Sequence, residues 1–88
     1  MPSRVVKARF EKYFLTERFF LNEATSFALG YSNFAELKNE CKALRQLSRI
    51  LASAERYNGL QFISIANQFK VSNEAMAIRL EELELLSL

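Results

Sequence analysis

The apolar positions of this chain recur at helical spacing over most of its length. Val6, Phe10, Tyr13 and Phe14 share one side of a segment that Pro2 and Ser3 open, which predicts an N-terminal helix. Thr16 is the expected cap of a second helical stretch running through Phe19, Phe20, Leu21, Ala24, Phe27 and Ala28. Phe10, Phe14, Phe20, Phe27 and Phe34 are expected to supply much of the core, with Phe19 on another face. Gly30-Tyr31-Ser32 marks the first break. Asn33 follows, an N-cap with Glu36 at the third helical position.

From there a single long amphipathic helix is predicted over about 33–57, with Leu37, Cys41, Leu44, Leu47, Leu51 and Ala54 as its apolar stripe. The 37-44-51 and 40-47-54 steps approach a heptad, Glu40 being the polar exception. A bundle helix and a coiled-coil homodimer both account for that pattern. Asn58-Gly59 is read as the stop.

Residues 60–84 carry the most informative pattern. Its frame is Ile65-Ala66-x-x-Phe69-x-Val71-Ser72-x-x-Ala75-Met76-x-x-Arg79-Leu80-x-x-Leu83. Ala66 is small where a second helix crosses above it, and Phe69 and Val71 plug the corner. Ser72 caps the second helix, and Ala75, Met76, Leu80 and Leu83 face inward. This predicts a helix-turn-helix whose core is Ala66, Phe69, Val71, Ser72, Met76, Leu80 and Leu83, with Lys70 at a turn position that Gly usually fills. The predicted fold class is therefore all-α: one domain over residues 1–88, a small helical bundle with a C-terminal helix-turn-helix unit.

Composition agrees. With Gly30, Gly59 and Pro2 alone as turn formers, few turns are available, which favours helices over sheets. Eight Phe and three Tyr among 88 residues make a real but small core, burying ~60–65% of the unfolded surface, and a homodimer would widen that margin. The lone Cys41 cannot form an internal disulfide and points to a reducing, cytoplasmic setting. No run of 18 or more apolar residues is present, so no membrane span is expected, and the basic N-terminus lacks the apolar stretch of a signal peptide.

Charge sharpens the functional question. The net charge of +2 does not by itself call for a polyanion. Lys38, Lys42, Arg45, Arg49 and Arg56 would share one side of the long helix and are the candidate phosphate contacts. The same face could instead be solvated, or dock the Glu-rich C-terminus of the chain. On the second helix of the helix-turn-helix, Lys70, Asn73, Glu74 and Ala77 are the candidate DNA contacts, with Ile78 beside them: Asn73 suits adenine, Glu74 cytosine and Lys70 a phosphate. Glu81, Glu82 and Glu84 follow, and carboxylates repel phosphates.

Catalytic chemistry is scarce. There is no His and no Asp, and one Cys cannot build a thiolate metal site. No catalytic residue, metal or cofactor is expected.

Met1-Pro2-Ser3-Arg4-Val5-Val6, with Phe10 beyond, resembles the stretch that follows the catalytic region in the ImmA/IrrE-type metallopeptidases. The segment from Ile65 to Leu83 is similar to their C-terminal helix-turn-helix. Residues 15–58 are not distinctive. The resemblance implies a helical fold and a regulatory setting, namely zinc-dependent cleavage of repressors or a role in stress and mobile-element control. The family's His-Glu-x-x-His helix is missing, so no zinc ligand is carried over. The chain then looks like a non-catalytic tail, either part of such a protein or encoded alone by a mobile element.

Two functions are expected from these readings. One is a DNA-associated helix-turn-helix regulatory module. The other is a protein-interaction or dimerisation module without nucleic-acid binding, or a fragment with no separable activity. Four Leu within Leu83–Leu88 must pack back or meet a partner.

Overall fold

A computed structural model describes residues 2–88; Met1, first of the Met-Pro pair, lies outside the described residues. The chain is helix-rich but not purely helical. Its order is α1 (Ser3–Phe14), β1 (Phe19–Phe20), α2 (Glu23–Ala28), α3 (Phe34–Glu40), α4 (Leu44–Ser53), β2 (Arg56–Tyr57), β3 (Leu60–Gln61), α5 (Ile65–Gln68), α6 (Asn73–Glu82) and β4 (Leu86–Ser87).

Helix α1 forms where expected and buries Val6, Phe10 and Phe14. The next stretch differs from expectation. Thr16 lies in a bend and caps nothing; Asn22 caps α2, its side chain accepting from the Thr25 amide at 2.9 Å. Phe19-Phe20 is a strand, so its side chains alternate. Phe19 is therefore the buried one, while Phe20 and Phe27 are exposed. Helix α2 ends in a Schellman turn: the Gly30 amide bonds the Phe27 carbonyl, the Tyr31 amide bonds the Ser26 carbonyl, and Gly30 takes φ +96°.

The long helix over 33–57 is not formed. Asn33 caps α3 through the Glu36 amide as predicted, but α3 stops at Glu40. A new helix starts at Leu44. The Gln46 carboxamide accepts from the amides of Lys42 (2.6 Å) and Ala43 (3.0 Å), satisfying groups that a continuous helix would have paired along the backbone. The break leaves Leu37 and Cys41 buried at the end of α3, and Leu47, Leu51 and Ala52 buried on α4.

After α4 the chain turns into a hairpin. Asn58 and Gly59 take φ +52° and +82°, the two positive values a type I′ turn needs, and pair Tyr57 with Leu60 and Arg56 with Gln61. At the C-terminus, β4 lies parallel to β1, with Phe19 opposite Leu86 and Phe20 opposite Ser87. The leucine tail thus packs back: Leu85 and Leu86 are buried, and Leu88 stays exposed.

Phe14 sits at the centre of the aromatic core. Its ring lies 4.9 Å from Phe10, 5.2 Å from Tyr57, and 6.1 Å from both Phe19 and Phe62. Offset and edge contacts of this kind add to the area they bury. Helix α4 is the hub of the remaining core, packed against both α5 and α6, while α1 lies against α5. Across that last contact Gln68 donates to the Tyr13 hydroxyl at 2.9 Å and accepts from Arg9. None of the helices among the described residues is long and apolar enough to cross a membrane.

Candidate functional site

Helices α5 and α6 meet at a sharp corner. Ser64 caps α5 through the Asn67 amide, and Ser72 caps α6 through the Ala75 amide at 3.0 Å. Between them lies a second Schellman turn. The Lys70 amide bonds the Asn67 carbonyl, and the Val71 amide bonds the Ala66 carbonyl. Lys70 takes φ +54° there, in the left-handed region. Ile65, Ala66, Met76 and Leu80 are fully buried, and Phe69, Val71 and Leu83 pack partly buried against them.

Four candidate contacts on this unit divide sharply. Lys70 and Asn73 are exposed at the start of α6. Ala77 is completely buried, so it reaches no partner; in its place Ala75, expected inside, faces out beside Ile78. Glu74 is occupied. Its carboxylate meets Arg45 at 2.7 Å and Arg49 at 2.5 Å across the α4–α6 contact.

The basic stripe expected on one helix is dispersed because that helix is two. Lys38 is on α3, its ammonium 6.0 Å from the Phe34 ring centre, and Lys42 is in the connection to α4. Arg45 and Arg49 are on α4, and Arg56 is on β2. Of the five, only Arg45 and Arg49 sit against α6, and both are paired with its acids. Arg45 also binds Glu81 at 2.6 Å, and Ser48, fully buried on α4, donates to the same carboxylate at 2.5 Å.

The electrostatics follow from these bonds. Hydrogen bonds from Arg49 and then Arg45 hold the Glu74 carboxyl below the usual carboxylate range. The Arg45 bond, aided by Ser48, holds Glu81 low against the opposing effect of burial. Both acids are ionised at neutral pH, and two guanidiniums face two carboxylates. Beyond them the outward side of α6 carries Ala75, Ile78 and Glu82. An incoming phosphate meets little net positive charge on this surface.

Sequence reasoning leaves Ser48 and Gln46 unassigned. A weak signal exists: Glu74 and Glu81 are seven apart, two turns on one face of α6, and Arg45, Ser48 and Arg49 share one face of α4.

A second surface lies at the far end of α4. An open groove of about 770 Å³ runs between that end, the hairpin and the loop after α2, with Leu29, Tyr31, Ile50, Phe62 and Ile63 as its apolar walls. Arg56 lines it as well, its guanidinium laid against Gly30 so closely that a side chain there would lie 2.9 Å from Nη2. Tyr31 donates from its hydroxyl to Glu40 at 2.8 Å; burial and that carboxylate push its pKa up to about 12. Cys41 is buried, and burial raises its thiol pKa, so it is a poor nucleophile. Among the described residues no three Cys or Glu side chains gather as a metal-holding group.

Comparison with protein-family models, with curated proteins and with solved structures finds no match to this chain.

Proposed function

We propose that this chain is a non-catalytic protein-interaction module, in which α5, the Lys70 turn and α6 form a helix-turn-helix used for packing. The observation that carries this reading is the pairing of Arg45 and Arg49 with Glu74 and Glu81. Specific DNA binding rests on a broad base of phosphate contacts. Here the two arginines next to the would-be reading helix are neutralised within the chain. The remaining candidates, Lys38, Lys42 and Arg56, lie on three other segments. A partner docking through apolar surface needs no such base, and exposed Ile63, Leu60 and Ile78 are available to it.

A DNA-associated regulatory role, with the mobile-element setting that the ImmA/IrrE resemblance implies, is the second reading. It is favoured by the exposure of Lys70 and Asn73 at the first turn of α6. Titration with mixed-sequence duplex DNA at low salt separates the two. The protein-interaction reading predicts no salt-dependent change in amide NMR spectra. Shifts centred on Lys70 and Asn73 that fade with added salt would sink it.

A further inference from the structure

We propose that the groove beside the β2–β3 hairpin binds an extended, largely apolar peptide segment whose acidic side chain pairs with Arg56. The proposal rests on the protein-interaction reading and names its site.

Three features of the groove point to this occupant. The first is charge. Arg56 has no carboxylate within ion-pair distance among the described residues. Its guanidinium is nevertheless held in place, flat against Gly30, whose left-handed φ and missing side chain make room for it. Two acids stand nearby and neither satisfies it. Glu40 accepts the Tyr31 hydroxyl. Glu55 precedes Arg56, and alternation along an extended chain sends its side chain to the opposite face. A positioned, unpaired guanidinium favours a carboxylate in the fork geometry that suits both groups.

The second feature is the lining. Tyr31 and Phe62 supply aromatic wall and Ile63 is two-thirds exposed, at 64%. The volume of about 770 Å³ is within the range of ligand clefts, ~300–1,000 Å³. Its open, trough-like form suits a segment that enters at one end and leaves at the other.

The third feature is backbone. The Phe62 amide bonds the Glu55 carbonyl at 2.8 Å, so residues 55 and 62 form a hydrogen-bonded pair and the adjoining Arg56–Gln61 pair is a non-bonded one. The N–H and C=O of Gln61, a lining residue, therefore point away from β2 and remain open to an added chain. Unpaired strand edges of this kind are templates for extended segments.

The test is selection from a displayed library of random heptapeptides on the immobilised chain, run in parallel on Arg56→Glu and Ile63→Asp. Both positions are exposed, and amide NMR confirms that each variant stays folded. The expected result is a consensus of apolar residues around one Asp or Glu. The synthetic consensus peptide then shifts the amides of Gln61 and Ile63. Arg56→Glu weakens it roughly tenfold or more and turns selection towards Lys or Arg; Ile63→Asp weakens it without changing the charge preference. No consensus, a consensus indifferent to both variants, or one without an acid overturns the proposal. A consensus peptide whose shifts map elsewhere overturns the groove assignment and leaves the protein-interaction reading standing. DNA binding by the unaltered chain strikes that broader reading and not the peptide result.

Discussion

Ser48 of α4 donates its hydroxyl proton to the Glu81 carboxylate of α6 at 2.5 Å, inside an otherwise apolar contact. That bond fixes where Glu81 sits, and Glu81 in turn holds Arg45 at 2.6 Å. A carboxylate committed in this way organises the helix pair and is withheld from any partner. Replacing Glu81 with Ala should destabilise the fold by about 1–2 kcal/mol, since hydrogen bonds to charged groups are worth that much and one here is shielded. Chemical denaturation would show a lower midpoint with an unchanged slope.

The same acids set the response to low pH. The folded-state pKa values of Glu74 and Glu81 lie below their ordinary values. Their stabilisation is therefore full above the usual carboxylate range and is lost as pH falls through the lowered values. The thermal midpoint should hold from pH 7 to about 5 and then drop. In Glu74→Gln/Glu81→Gln the acid-side drop should be shallower.

At high pH the sign reverses. The Tyr31 hydroxyl is pushed up to about 12, and burial raises Tyr57 in the same direction. The folded state keeps protons that the unfolded chain gives up, so this contribution is intact below pH 10 and is lost between there and 12. Ultraviolet titration should show a late tyrosine step, and Tyr31→Phe should remove part of it.

Two turn positions should respond in opposite directions. Lys70 occupies left-handed backbone at φ +54° in a Schellman turn, where Gly carries no steric cost. Lys70→Gly should raise stability by about 0.5–1 kcal/mol. Gly59, at φ +82°, has open space where a Cβ would sit, so Gly59→Ala costs only the backbone conformation, about 1 kcal/mol. Denaturant midpoints of the two variants should move apart on either side of the parent.

Phe14 touches four other aromatic rings. Phe14→Ala should cost about 3–5 kcal/mol, a large part of the ~5–15 kcal/mol that holds a domain folded. Loss of near-ultraviolet circular dichroism at ambient temperature would check this.

The helical ground plan is legible where a side chain caps a helix: Asn33 and Ser72 each bond the amide three residues on, as their sequence contexts imply. The break at 41–43 is not. It contains neither Gly nor Pro, and the amides it frees are taken by Gln46, which is indistinguishable in sequence from a surface helix residue. Asn58-Gly59 resembles a helix stop in sequence, but its positive-φ preference serves a hairpin equally well. With Phe19-Phe20 in a strand, helical spacing names the wrong member of the pair as buried. Of the candidate contacts, exposure at Lys70 and Asn73 is foreseeable from the pattern. The capture of Arg45 and Arg49 is not, because it depends on how α4 crosses α6.

Neutralisation of Arg45 and Arg49 within the chain is tested by comparing the parent with Glu74→Gln/Glu81→Gln in amide NMR titrations against mixed-sequence duplex DNA at low and physiological salt. The expected result is a silent parent, and a variant that gains salt-sensitive shifts at Arg45 and Arg49 once its carboxylates are gone. Salt-dependent binding by the parent itself, centred on Lys70 and Asn73, would contradict both the neutralisation of these arginines and the conclusion that α6 does not read DNA.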